Sequence, residues 1–124
     1  MKFSVVVPVL NEAAVIRDTL QSLKRQAPDE IIVVDGNSLD NTRTIASQYA
    51  DHVVSSAPGR ARQMNVGAGY AEADVIVFLH ADTQLPDGAL NTLRDLFLSA
   101  PDLAGGRFRI SFSNTSFKYK LISF

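Results

Sequence analysis

Four polar clusters in this sequence each follow a β-branched run: PVLNE (8–12), DGNSLDNT (35–42), PGRARQMN (58–65) and HAD (80–82). Their contents are complementary. Asn11, Glu12 and Asp35 bring acceptors for a base or a sugar. Arg60 and Arg62 bring guanidinium forks, suited to a diphosphate at what reads as a helix N-terminus. Asp82 brings a hard oxygen ligand of the kind that shares Mg²⁺ or Mn²⁺ with substrate phosphates. A carboxylate taken from water without a partner is costly, so an apolar strand ending on His80 and Asp82 is expected to meet something there. In outline this is a site for a nucleoside diphosphate.

Each cluster also has a plainer reading. Asp40 or Asn41 fits the cap of a following helix, since Asx residues favour that position. The arginines fit a solvated surface, and no GxxxxGKS or GxGxxG phosphate loop accompanies them. His80 fits a satisfied core histidine, and His52 a structural or exposed one.

The elements that must hold these clusters follow from periodicity. FSVVV (3–7), EIIVV (30–34), HVVS (52–55) and DVIVFL (74–79) are nearly continuous apolar runs, as expected of strands covered on both faces. Helical spacing falls between them. Ile16, Leu20, Leu23 and Ala27 form one stripe; Thr42, Ile45, Ala46 and Tyr49 a second; Ala61, Met64, Ala68 and Ala71 a third, weakened by Gly67 and Gly69. Leu90, Leu93 and Phe97 form a fourth within 87–99. Alternating strands and helices predict an α/β domain with a mostly parallel sheet. Ligands of such sheets bind beyond the carboxyl ends of the strands, where all four clusters fall. After Pro101 the pattern changes: GGRFRISF (105–112) alternates like a half-exposed strand, and Phe117, Leu121 and Phe124 have helical spacing without a stop signal. The chain therefore reads as a single partial domain, residues 1–124, cut in mid-element. Its uncovered apolar end is expected to self-associate.

Composition narrows the classes. With 124 residues, 46% hydrophobic and 20% charged, the chain has the balance of one globular domain. A net charge of -1 argues against nucleic acid as a partner and leaves a membrane at most a peripheral one. Without cysteine there are no disulfides or thiolate metal sites, which fits the cytoplasm. The apolar run from Phe3 to Leu10 is broken by Pro8 and followed by Asn11 and Glu12, so it reads as a strand and not as a signal peptide.

In order and spacing, these motifs resemble the N-terminal half of a glycosyltransferase family 2 catalytic domain. The opening P-x-x-N-E is Pro8, Asn11 and Glu12. The V-V-D-[DG]-x-S-x-D-x-T stretch is VVDGNSLDNT. The R-x-x-N-x-G-x-x-x-A segment is Arg62, Asn65, Gly67 and Ala71, and the D-x-D metal motif is replaced by HAD, as in a bacterial subgroup that also carries GRARQMN. The resemblance implies a Rossmann-like GT-A fold binding a nucleoside-diphosphate sugar and Mn²⁺ or Mg²⁺. It implies that Pro8 and Glu12 border the nucleotide, with Asn11, Arg60 and Asn65 beside them. Asp35 would approach the base, Arg62 the base or phosphates, and Asp82 the cation; His80 becomes a second ligand or a ribose contact. Gly36 stands where many members carry a second Asp, leaving the base preference open. The catalytic base implied for an inverting transfer to an acceptor hydroxyl has no match in the chain. Two other classes compete: a sugar nucleotidyltransferase, whose Gly-rich opening loop is missing from PVLNEAAVI, and a non-catalytic nucleotide-binding or interaction module.

Overall fold

The computed structural model describes residues 2–99 together with a strand at Lys120–Ser123. Within them lie β1 (Phe3–Val9), α1 (Ile16–Arg25), β2 (Glu30–Asp35), α2 (Thr42–Ala46), β3 (His52–Ser55), α3 (Arg60–Tyr70), β4 (Val75–Phe78), α4 (Ala89–Ser99) and β5 (Lys120–Ser123). The described strands form one sheet in the order β3-β2-β1-β4-β5, and every pairing is parallel. The alternating α/β reading is the observed architecture.

The continuous apolar runs of β1, β2 and β4 are explained by cover on both faces, whereas β3, at the edge of the sheet, is exposed at His52 and Ser55 and only half-buried between. Phe3, Val5, Val7 and Val9 of β1 pack with Ile16, Leu20 and Leu23 of α1, Ala46 of α2, and Leu90, Leu93 and Phe97 of α4. Val6, Ile32, Val34 and Phe78 face the other way, against Met64, Val66 and Ala68 of α3. Ser4, fully buried in β1, keeps its hydroxyl satisfied by donating to Glu30 Oε1 at 2.7 Å.

The chain order reverses between β1 and β4, which makes that the switch point of the sheet. Alternate residues of β1 serve its two neighbours: Val6 O accepts Leu79 N, whereas Val9 O accepts Gly36 N. Pro8 belongs to the set facing β4, but the β1–β4 ladder ends at Val6↔Phe78. A proline is tolerated here because no ladder bond remains to be lost. The two strands part at this point, leaving a crevice.

Three expectations are corrected. Ala27 does not extend α1: the helix ends at Arg25 and Ala27 is exposed at φ 52, because the following Pro28 disfavours a helical residue before it. On α3 the side buried against the sheet is Gln63 and Gly67, four residues apart, with Met64, Ala68 and Ala71 packed beside them and Ala61 exposed. The helical spacing read through Leu121 gives way at residues 120–123 to a strand paired with β4 from Val75↔Lys120 to Phe78↔Ser123. Backbone pairing along an otherwise open edge outweighs a three-residue periodicity. The strand expected at 105–112, with Phe117 and Phe124, lies outside the described residues.

Candidate functional site

The loops at the carboxyl ends of β1, β2 and β4 are joined by hydrogen bonds that decide which side chains remain free. Asn11 adopts φ 52, in the left-handed region that Asn tolerates better than most residues. Its N–H donates to Ser38 Oγ at 2.9 Å and its Oδ1 accepts Leu39 N at 2.8 Å. Asp35 is buried, and its carboxylate accepts the Ser38 N–H at 3.2 Å and the Ser38 hydroxyl at 2.5 Å. Asn11 and Asp35 are therefore engaged in shaping the loops.

Asp40 is engaged as well. It accepts from the N–H and hydroxyl of Thr42 and from the N–H of Ala13, tying the first turn of α2 to the β1–α1 loop. The capping reading therefore holds for Asp40, while Asn41 makes no side-chain cap bond. The Thr42 bonds, hydroxyl first and backbone second, hold the Asp40 carboxyl below the ordinary 3.8. A lowered folded value means the contribution is full above 3.8 and is lost as pH falls through the folded value. The gap in unfolding free energy between the natural protein and Asp40→Ala, followed by urea titration, is expected to be flat above about pH 5 and to shrink below 3.8. A gap that narrows already at pH 6 would contradict this.

The remaining candidates converge on the crevice. Pro8, Glu12, Arg60 and His80, with Val9, Leu10, Gly59 and Gln63, line one cavity of about 300 Å³. Arg62 and Asn65 line an adjoining groove of about 550 Å³ that shares Gly59 and Arg60. Asp82 is exposed and lines neither, touching only the Thr83 hydroxyl at 3.5 Å among the described hydrogen bonds. Among the sequence candidates, then, the structure brings Pro8, Glu12, Arg60 and His80 together, sets Arg62 and Asn65 alongside, and turns Asn11 and Asp35 to other partners.

Arg60 and His80 meet directly, the guanidinium donating to imidazole Nε2. Arg has no acceptor, so His80 must accept here and carry any proton on Nδ1. Burial, reinforced by the Arg60 charge and opposed by Asp82, pushes the His80 pKa below its ordinary 6.5. The ring is therefore neutral near pH 7, its one acceptor nitrogen taken by Arg60. His52, by contrast, is exposed, 3.5 Å from Glu30 at the far end of the sheet.

Two polar residues absent from the sequence reading hold this arrangement. Gln63 is taken up below. Thr19, buried on α1, donates to the carbonyl of Ala81, the middle residue of HAD, at 2.5 Å. The turn is held again by Gln26, which donates to Pro86 O and accepts Leu90 N, both at 3.0 Å. A polar residue recurring on the apolar stripe of a helix was the available signal. Thr19→Val leaves the Ala81 carbonyl without this donor and is expected to cost about 1–2 kcal/mol in unfolding free energy. Thr19→Ser, which keeps the hydroxyl, should lose less; equal losses would mean the bond contributes little.

A parallel sheet of order 3-2-1-4-5, with its free polar groups at the switch point, puts the chain in the class of Rossmann-like α/β domains. Residues 4–124 match the model of glycosyl transferase family 2, and the chain belongs to that family. It is 35% identical over 92 residues to a PGL/p-HBAD biosynthesis glycosyltransferase of Mycobacterium bovis, covering 67% of this chain and 36% of that protein. Its fold is similar to the crystal structure of S. aureus TarS with UDP-GlcNAc, at TM-score 0.72 and 29% identity over 82% of this chain and 32% of that one. It is also similar to glucosyl-3-phosphoglycerate synthase from Mycobacterium tuberculosis with UDP, at TM-score 0.62 and 29% identity over 86% of this chain and 42% of that one. The chain spans less than half the length of each.

Proposed function

We propose that these residues form the donor half of a glycosyltransferase, binding a nucleoside-diphosphate sugar with Mn²⁺ or Mg²⁺ at the β1–β4 switch point for transfer to an acceptor hydroxyl. The carrying observation is the convergence of Pro8, Glu12, Arg60 and His80, from three separate sequence clusters, on one cavity at that edge. The two solved relatives with UDP-GlcNAc and UDP support a uridine nucleotide as the first ligand to try.

Each group has a task in this reading. Pro8 and Glu12 border the nucleotide, with Asn11 and Asp35 shaping the base side through Ser38. Arg60 leaves His80 to meet the diphosphate, Arg62 and Asn65 flank it from the adjoining groove, and the guanidinium charge stabilises the leaving group as the sugar departs. The donor set fits a shared cation. No group of three His, Cys, Asp or Glu able to hold a metal occurs among the described residues, so Asp82, with neutral His80, would supply one or two ligands. Mg²⁺-type ions complete such sets with phosphate oxygens and water. Bound there, the cation would neutralise charge on the leaving diphosphate. The base that takes the acceptor's proton is assigned to a part of the protein outside these residues. We place the protein in the cytoplasm, at most peripheral to the inner membrane face, on the strength of its cysteine-free composition. No helix among the described residues is long and apolar enough to cross a membrane.

The test is a calorimetric titration of UDP and GDP into the intact protein, with and without Mn²⁺. Binding that requires the cation is expected, with UDP favoured. No binding in any combination would overturn the reading and favour a module that keeps the fold without the chemistry. Size-exclusion chromatography of residues 1–124 checks the expected self-association; a monomer at all concentrations would count against it.

A further inference from the structure

Gln63 is only 4% exposed, yet it stands at the cavity where Arg60 and His80 meet. Its amide nitrogen donates to Val9 O at 2.9 Å and to Val34 O at 3.0 Å, and its Oε1 accepts Gly59 N at 3.2 Å. One side chain thus joins the end of β1, the end of β2 and the residue preceding α3. The bond to Gly59 is a relative of the return bond of a capping box, made one position later in the helix. Gly59 sits at φ 140, a conformation open to glycine and strained for other residues, so the turn into Arg60 needs both the glycine and a group that holds its N–H.

Gly36 is shaped by the same amide. It does not have a positive φ, so its backbone does not demand glycine. A Cβ there would lie 2.9 Å from Gln63 Oε1 and 3.0 Å from Cδ and Nε2. Any side chain at residue 36 would therefore press on the Gln63 amide.

We propose that Gln63 is a positioning residue for the diphosphate end of the site, holding Gly59 so that Arg60 and the start of α3 face the phosphates. This rests on the donor-site reading above. An apolar side chain would fill the same volume and pack on the sheet, but it would leave Gly59 N–H without its partner and the turn into Arg60 free to shift.

The test uses the intact protein with Mn²⁺ and three probes, UDP, uridine and inorganic pyrophosphate, with GDP and guanosine in parallel. Gln63→Met and Gly36→Ala, the latter pressing a methyl on the amide, are each expected to weaken nucleoside diphosphate and pyrophosphate by roughly tenfold or more. Nucleoside binding should be unchanged, a split that general loss of stability would not produce. Both changes act through one amide, so Gly36→Ala added to Gln63→Ala should weaken pyrophosphate no further. If Gln63→Met does not fold, Gly36→Ala and the cycle with Gln63→Ala carry the test. Folded variants that bind pyrophosphate as tightly as the natural protein, or fully additive losses in the cycle, would overturn the proposal. Failure of the natural protein to bind any diphosphate would instead remove the donor-site reading, and this inference with it.

Discussion

Asp82→Ala is expected to remove cation-dependent nucleoside-diphosphate binding, weakening it by roughly a hundredfold or more, while leaving the fold intact. The two halves of this expectation have separate grounds. The carboxylate is exposed and, among the described hydrogen bonds, makes only the long one with Thr83, so its loss should change stability by no more than about 0.5 kcal/mol. It is the only carboxylate of HAD, close enough to His80 to act on its charge, and a hard oxygen donor of the kind that shares a cation with a diphosphate. Calorimetry with UDP and Mn²⁺, paired with a thermal melt, reads both. Retained Mn²⁺-dependent affinity in a folded Asp82→Ala protein would move the cation elsewhere. His80→Ala should lose less, because an imidazole can at most supplement a carboxylate for a hard ion.

How far the site was legible depends on whether a side chain's partner lies nearby in sequence. That polar groups would gather at the carboxyl edge follows from strand order alone, and Pro8, Glu12, Arg60 and His80 gather there. Asn11 and Asp35 have the right chemistry and the right edge, but the Asn11 side chain takes the N–H of Leu39, 28 residues away, and Asp35 takes Ser38 within its own loop. Spacing reports what a residue is able to bond and not which distant loop reaches it first. Gln63 and Thr19 were passed over for the opposite reason. Periodicity scores apolar residues, and a buried amide or hydroxyl registers in it only as a gap in the stripe.

The fold was legible where the core is made of continuous β-branched runs, since a strand covered on both faces has few other ways to be buried. All four such runs became strands, with β1 and β2 extending to Val9 and Asp35 through pairing with each other. Helix ends were less legible. Ala27 fits the α1 stripe by spacing, but Pro28 acts on its backbone regardless of side-chain pattern.

The glycines of α3 show where propensity alone misleads, and they support the largest stability prediction. Gly67 and Gly69 both weaken a helix on intrinsic preference, and alanine should improve either by up to about 1 kcal/mol. The surroundings separate them. A Cβ on Gly69 meets nothing within 4 Å, whereas one on Gly67 would lie 2.3 Å from Val6 Cγ1 and 3.0 Å from Val34 Cγ2. Both valines are fully buried in central strands and have no room to yield. Gly67→Ala must therefore lift α3 off the sheet, and overpacking of this kind costs about 1–3 kcal/mol or more, exceeding the helical gain. Gly69→Ala should be neutral to stabilising in the same urea titration. The displacement would also carry Gln63 and the start of α3 away from the ends of β1 and β2, so Gly67→Ala should weaken pyrophosphate binding even where the protein remains folded. Equal stability of the two variants would show that α3 can shift without cost, and that its close approach to Val6 does not govern the site.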